Sequence, residues 1–242
     1  MGKVRVSVAL ASYNGERYIR EQIESILANL TQEDEIVVSD DGSTDNTLAI
    51  LKEYEKGKIP VTILKGPGKG IKKNFENALR HCRGEYIFLS DQDDVWMEDK
   101  VEFSMEFFTK GVCRLLNHDA RVMDSELKHE IMPSFFAYRD SVPGFWKNFI
   151  KNRYMGCCMA FHRSLLPLAL PIPDKIEMHD QWLGLINDLT ENDSLFLERP
   201  LILYRRHDSN VSDFSHGTVW EMVKKRIILA KALLRWKILN KH

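Results

Sequence analysis

Three carboxylates fall within four residues at Asp91-Gln92-Asp93-Asp94. Like charges this close repel one another, at a cost to the fold unless a cation offsets them. Hard divalent cations take oxygen ligands, and Mg²⁺ commonly takes one or two carboxylates together with substrate phosphates. The cluster therefore suits a metal-bound diphosphate, with the cation neutralising charge as a phosphate leaving group departs. The same residues also suit a solvated acidic turn capping the helix that starts near Glu98. Both readings are open at this level.

A second acidic turn is Asp40-Asp41-Gly42-Ser43-Thr44-Asp45. Asp-Gly breaks a strand, and Ser43 or Thr44 can cap the following helix. Asp40 or Asp41 can at the same time accept a hydrogen bond from a base N–H or a ribose hydroxyl. The loop Gly66-Pro67-Gly68-Lys69-Gly70 has the glycines of a phosphate cradle but lacks the Gly-Lys-Ser/Thr ending of a P-loop. Lys69, Lys72 and Lys73 are its candidate diphosphate contacts, and a plain flexible turn is the competing reading. His179-Asp180-Gln181-Trp182 offers Asp180 as a base, a helix-start Asp being the alternative. Tyr204-Arg205-Arg206-His207-Asp208-Ser209-Asn210 sets two phosphate-pairing guanidiniums and a potential metal-binding imidazole directly after a strand.

The elements that must position these groups alternate. Strands are expected at Val4 to Leu10, Glu35 to Ser39, Val61 to Leu64 and Tyr86 to Leu89. Helices follow from an Asn14 cap to Leu30, over Thr44 to Lys56 and over Ile71 to Cys82. Short apolar strands between amphipathic helices predict an α/β fold, a parallel sheet with helices on both faces. Ligands of such sheets sit beyond the carboxyl ends of the strands, where the Ser12-Tyr13-Asn14, Asp40-Asp41 and Asp91 to Asp94 turns all fall. The second half is less periodic, with a strand over Pro200 to Tyr204 and an apolar, small-residue stretch over Tyr154 to Phe161.

From Thr218 the chain reads as one helix in which Lys224, Lys225, Arg226, Lys231, Arg235, Lys237 and Lys241 interleave with apolar residues. A basic amphipathic helix fits an anionic membrane surface. It also fits a helix packing its apolar stripe on the domain. The expected division is residues 1–216 as a catalytic domain and 217–242 as this helix.

A net charge of −1 excludes a general nucleic-acid binder. Four cysteines without a Cys-x-x-Cys spacing argue against a disulfide framework or zinc site and predict a reducing, cytoplasmic setting. No apolar run is long enough to span a bilayer, and the N-terminal run is too short and interrupted for a signal peptide.

The motifs in this order resemble those of glycosyltransferase family 2, in its bacterial rhamnosyltransferase-like subgroup. The resemblance rests on five segments: Val8 to Asn14 with Tyr18 and Ile23 to Leu27; Glu35 to Asp45; Ser90 to Trp96; Met178 to Trp182; and Tyr204 to Asn210. It implies a GT-A, Rossmann-like fold with a mixed, mainly parallel sheet. It implies inverting transfer of one sugar, from dTDP-rhamnose, to a hydroxyl of a glycan or lipid-linked acceptor in bacterial surface polysaccharide assembly. Ala11, Tyr13, Asp41 and Asp40 would then face the nucleotide base. Asp91 and Gln92 would face the ribose or sugar, and Lys73, Arg205 and Arg206 the diphosphate. Asp93, with His207, would hold Mg²⁺ or Mn²⁺, and Asp180 would be the base. The residue before the base is His179, where many members carry Glu, and the Gln-x-x-Arg-Trp motif of processive synthases is absent. The first departure bears on substrate contacts, and the second predicts single addition. The alternatives are a UDP-hexose or UDP-N-acetylhexosamine donor, a non-catalytic nucleotide-sugar-binding protein, and a metal-dependent nucleotidyltransferase. The protein is expected to be peripheral at the inner face of the cell membrane.

Overall fold

A computed structural model describes residues 3–208 and 218–240. The first half builds the expected alternation: β1 (Val6–Ser12), α1 (Ile19–Asn29), β2 (Glu35–Asp40), α2 (Thr47–Lys52), β3 (Val61–Lys65), α3 (Ile71–His81) and β4 (Tyr86–Ser90). Then come β5 (Val95–Trp96), α4 (Lys100–Thr109), β6 (Leu115–Met123), β7 (Glu130–Met132), α5 (Phe135–Arg139), α6 (Phe145–Ile150) and β8 (Met159–His162). The chain closes with α7 (Leu166–Ala169), α8 (His179–Thr190), β9 (Leu195–Arg205) and α9 (Val219–Leu239).

One sheet runs in the order β3-β2-β1-β4-β8-β6-β9-β5, with β7 paired to β6. The ladders β3-β2-β1-β4 and β6-β9 are parallel, and β8, β5 and β7 run antiparallel to their neighbours. Two antiparallel pairings flank β8, so β6 and β9 point the same way as β1, β2 and β4. The carboxyl ends carrying Ser12, Asp40, Ser90 and Arg205 therefore lie along one edge of the sheet, where ligands of such sheets bind.

β1 is buried throughout, and its period of two sorts its side chains onto both faces. Val6, Val8 and Leu10 join Ile19, Ile23 and Ile26 of α1 in one core. Ala9 and Ala11 join Phe75 and Leu79 of α3 and Leu183 and Ile186 of α8 in the other. Small residues on the second face let those helices come close. α9 belongs to the second core as well: Leu229 and Leu233 are buried there, and the Trp236 Nε1 donates to Leu168 O at 2.6 Å. One stripe of this helix thus packs on the domain. The boundary expected between 216 and 217, like Ser209 and Asn210, lies outside the described residues.

Three local expectations change. Asn14 does not cap α1; it has φ 47°, and its Oδ1 accepts the Thr44 N–H at 2.8 Å, tying the two rim turns together. Neither Ser43 nor Thr44 caps α2, which is a shorter helix than expected; the Thr47 N–H and hydroxyl go to Asp45 Oδ1 at 3.0 and 2.5 Å. The last strand is longer than Pro200 to Tyr204. Pro200 sits at a register shift against β6, where a missing N–H is tolerated.

Candidate active site

The acidic turn after β4 is divided among three environments. Asp94 is fully buried; its Oδ1 accepts the Arg205 N–H at 3.1 Å, and its Oδ2 has no partner. Burial raises its pKa well above the carboxylate range, and the charges of Asp93 and Asp91 add to this. Asp91 is pushed up to about 7, by burial first and then by Asp93 and Asp180. The Lys100 ammonium lies beneath these groups, buried, 4.0 Å over the Trp96 ring and donating to Cys157 O at 2.8 Å. Burial lowers its pKa to about 8.

Asp93 faces the other way. Its Oδ2 lies 2.9 Å from His207 Nε2. The His207 ring stacks on Tyr18 with centroids 4.9 Å apart, and the Arg205 guanidinium covers the same tyrosine at 4.5 Å. A cleft of about 330 Å³ opens here, lined by Asn14, Tyr18, Gln92, Ser125, Arg206 and His207 among others. Two donors that bind one ion at about 2.1 Å and at right angles stand about 3 Å apart. Asp93 and His207 are hydrogen-bonded to each other at that spacing and are donor types such a cation takes, so the residues present are compatible with one. Asp91, Asp94 and Cys157 form a second donor set within 4.8 Å of one another. The Lys100 ammonium offsets part of the charge there.

Gln92 has a role its sequence position does not suggest. Its Oε1 accepts the Tyr13 N–H at 2.8 Å, and its Nε2 donates to Tyr13 O at 3.0 Å. The side chain holds the β1 turn and leaves the Tyr13 ring exposed at the rim. A Cβ at Gly15 would come within 2.3 Å of Gln92 Oε1, so a side chain there would displace the Gln92 amide.

Asp180 opens α8, where the helix N-terminus favours a carboxylate. Its Oδ1 accepts from Asn152 Nδ2 at 3.0 Å and from the Gln181 N–H at 2.6 Å. Burial nevertheless raises it to about 6, those hydrogen bonds pulling in the opposite direction. Its charge raises Asp91 further, so the two carboxylates lie within range of each other. Next to it, His179 is buried with both ring nitrogens unpartnered and stacks on Phe75 at 4.2 Å. Burial first, and Lys72 second, lower it to about 3, so the ring is neutral.

Other expected contacts are placed differently. Asp40 is buried, and its carboxylate is spent on Ser12 Oγ, the Gly42 and Ser43 N–H groups and Ser43 Oγ, at 2.5 to 3.2 Å. It builds the turn and does not face the cleft. Asp41 accepts the Gly68 and Gly70 N–H groups, each at 2.7 Å, and so anchors the glycine loop. The Ala11 side chain is buried in the core. Lys73 is turned to Glu76, Asp174 and Ile172 O at 2.7 to 2.9 Å, and Lys72 to Asp174 O and Ile176 O. Both pin the segment before α8 to α3, so Lys73 is engaged by protein groups in this structure. Arg205 is likewise structural: it is buried and bonds to Asp93 O and Ser125 O, both at 2.8 Å, and to Glu21. Arg206 lines the cleft. Sequence reasoning missed Asn152 and Lys100 as partners of the site, and named Tyr18 only as part of the opening motif of the resemblance. Nothing in the sequence marks Asn152. Lys100 follows Asp99 at a helix start and reads as a surface residue.

Comparisons with known proteins give the family and the fold. Residues 7–167 match the model of glycosyl transferase family 2. A dTDP-rhamnosyl transferase of Shigella flexneri is 31% identical over 217 residues, 83% of this chain and 72% of its own. A Bacillus subtilis glycosyltransferase named for teichuronic acid biosynthesis is 32% identical over 165 residues, 64% of this chain. This chain spans 60% of the length of that relative. The structure of Staphylococcus aureus TarS with UDP-GlcNAc superposes with a TM-score of 0.69 at 18% identity, over 93% of this chain and 66% of that one, a likeness of fold. The mixed, mainly parallel sheet with its flanking helices is thus that of GT-A proteins, and the chain belongs to glycosyl transferase family 2.

Proposed function

We propose that the protein is an inverting glycosyltransferase. It moves one sugar from a nucleoside diphosphate donor to a hydroxyl of a glycan or lipid-linked acceptor in bacterial surface polysaccharide synthesis. The observation that carries this reading is a buried Asp180, raised to about 6 and held by Asn152, whose charge also raises Asp91 of the acidic turn. A base near neutrality on one side and a leaving-group site on the other are what single displacement requires.

Asp180 takes the proton of the acceptor hydroxyl as that oxygen attacks the anomeric carbon. The bond from that carbon to the diphosphate oxygen breaks on the opposite face, inverting the centre without a covalent sugar-enzyme intermediate. Asn152 and the Gln181 N–H orient the carboxylate. Tyr13, at the rim, and Asp91 contact the nucleotide and sugar, and Arg206 the diphosphate. Asp93 and His207 would hold Mg²⁺ or Mn²⁺, which when bound supplies positive charge to the leaving diphosphate.

The similarity to the Shigella rhamnosyl transferase favours dTDP-rhamnose as donor. The shared fold of a protein that holds UDP-GlcNAc supports the second reading, a UDP-hexose or UDP-N-acetylhexosamine. The decisive experiment is a donor panel scored for thermal shift and hydrolysis with and without Mn²⁺. Metal-dependent turnover of dTDP-rhamnose is expected. Binding without turnover of any donor would reduce the protein to a nucleotide-sugar binder, and pyrophosphate release from a nucleoside triphosphate would make it a nucleotidyltransferase. We place the protein peripherally at the inner face of the membrane, with the basic helix α9 against anionic lipid. None of the described helices is long and apolar enough to cross a bilayer.

A further inference from the structure

α9 has two apolar stripes, and among the described residues only one is covered by the fold. Leu229, Leu233 and Trp236 turn inward, while Trp220, Val223, Ile227, Leu234 and Ile238 are exposed. The spacing of the exposed set, by three, four, seven and four residues, keeps it on one face of the helix. A second exposed pair lies on α6: Trp146 is 73% and Ile150 70% exposed, one turn apart, while Phe145 and Phe149 pack on the domain. The two helices meet, since Arg226 Nε donates to Ile150 O at 2.7 Å.

The charge around these faces is mostly positive. Between 218 and 240 there are six basic residues and one acidic residue, Glu221, whose carboxylate is taken by the Thr218 N–H. Lys225 is paired to Glu177, whereas Lys224, Lys231, Arg235 and Lys237 are exposed. α6 adds exposed Lys147, and Lys151 follows it. Two helices that carry exposed tryptophans, apolar stripes and flanking lysines match an anionic bilayer surface, where indole rings settle at the headgroups and basic side chains at the phosphates. A second copy of the chain fits worse, because pairing α9 with α9 would align two basic flanks.

The segment leaving α6 then enters the active site. Asn152, two residues after Ile150, holds Asp180 through the 3.0 Å hydrogen bond. We propose that α6 and α9 together form a bilayer-docking face for anionic lipid, which sets the Asp180 side of the active site against the membrane that carries the acceptor. The choice of acceptor rests on the functional reading above; the docking face does not.

The test uses the full chain and two variants, Trp146→Ser with Ile150→Ser, and Ile227→Ser with Leu234→Ser. Co-sedimentation is measured with phosphatidylcholine vesicles and with equimolar phosphatidylcholine and phosphatidylglycerol. The unaltered chain should bind the anionic vesicles only, less as salt rises, and each variant should lose at least tenfold in binding. Donor hydrolysis and thermal melting, measured in parallel, should be unchanged in both variants. Full vesicle binding by the α6 variant would remove that helix from the face. No binding by the unaltered chain would overturn the proposal, as would a dimer in light scattering that both variants dissociate. Vesicle binding without turnover of any donor would count against the transferase reading alone.

Discussion

The Gln92 side-chain amide and the Tyr13 backbone exchange two hydrogen bonds, 2.8 and 3.0 Å long, across the gap between the β4 and β1 turns. A middle residue of the acidic motif thus sets the rim that carries the Tyr13 ring. Gln92→Glu keeps the acceptor for the Tyr13 N–H but sets a carboxylate oxygen against Tyr13 O. Donor affinity should fall about tenfold, or about 1.4 kcal/mol, with a melting temperature near that of the parent. Gly15→Ala, which drives a Cβ into Gln92 Oε1, should behave alike. Isothermal titration with the donor checks both, and unaltered affinity in the pair would remove the rim from donor binding.

The first half of the fold was legible because its strands are apolar and its turns carry Gly, Asp and Asn. β6 was not. Its Asn117, His118 and Asp119 are buried, and they show no clear period in the sequence because their partners are remote: Met155 O for Asn117, and Ser134 Oγ and the Phe136 N–H for Asp119. No local pattern encodes a hydrogen bond to a residue 38 positions away. The site divides the same way. Asp93 and His207, 114 residues apart, were both legible as metal-binding types, and the sheet brings them together. Asp40, Lys73 and Arg205 were legible as charges but are consumed by neighbours that composition cannot show. Asp180 was legible by resemblance, and the Asn152 that orients it was not.

Asp93 and His207 should act as one unit in cation binding. Asp93→Asn and His207→Ala should each abolish the Mn²⁺-dependent part of donor binding, and the double variant should be no worse than either single one, because groups sharing a partner are not additive. Titration of donor with and without chelator measures this. Metal-dependent binding that survives in His207→Ala would move the cation toward Asp91, Asp94 and Cys157.

Asp180→Asn should keep donor affinity and lower transfer by roughly 10²- to 10⁴-fold, the range of general base catalysis. The active form is the carboxylate, so turnover should fall as pH drops through about 6. Asn152 donates to that carboxylate and lowers its pKa, so Asn152→Ala should move the acid limb upward. A purely structural loss would lower the rate at every pH and leave the limb in place. A Cβ at Gly156 would approach His179 Nε2 to 2.9 Å and Asp180 Cβ to 3.8 Å, so Gly156→Ala should reduce turnover more than donor affinity.

His179 makes stability depend on acid. Folded, its pKa is about 3, set by burial and then by Lys72 of α3; unfolded, it returns to about 6.5. Between these values the unfolded chain binds the extra proton, so stability falls as pH drops from about 6.5 toward 3. A tenfold difference in proton affinity is worth about 1.4 kcal/mol, so a loss of a few kcal/mol is expected over the window. Asp180 opposes this: its folded pKa, about 6, is above its unfolded value, so it favours the folded state as pH falls through the same range. The two neighbours therefore mask each other in the parent, and only a difference measurement separates them. His179→Leu removes two unpartnered ring nitrogens at similar volume and leaves Asp180 in place. Its urea midpoint should approach or exceed that of the parent near pH 7, and its advantage should grow as pH falls from 6.5 to 4. Parallel midpoint curves for the two proteins would show that His179 takes up its proton without unfolding, and that the neutral buried ring is not what acid attacks.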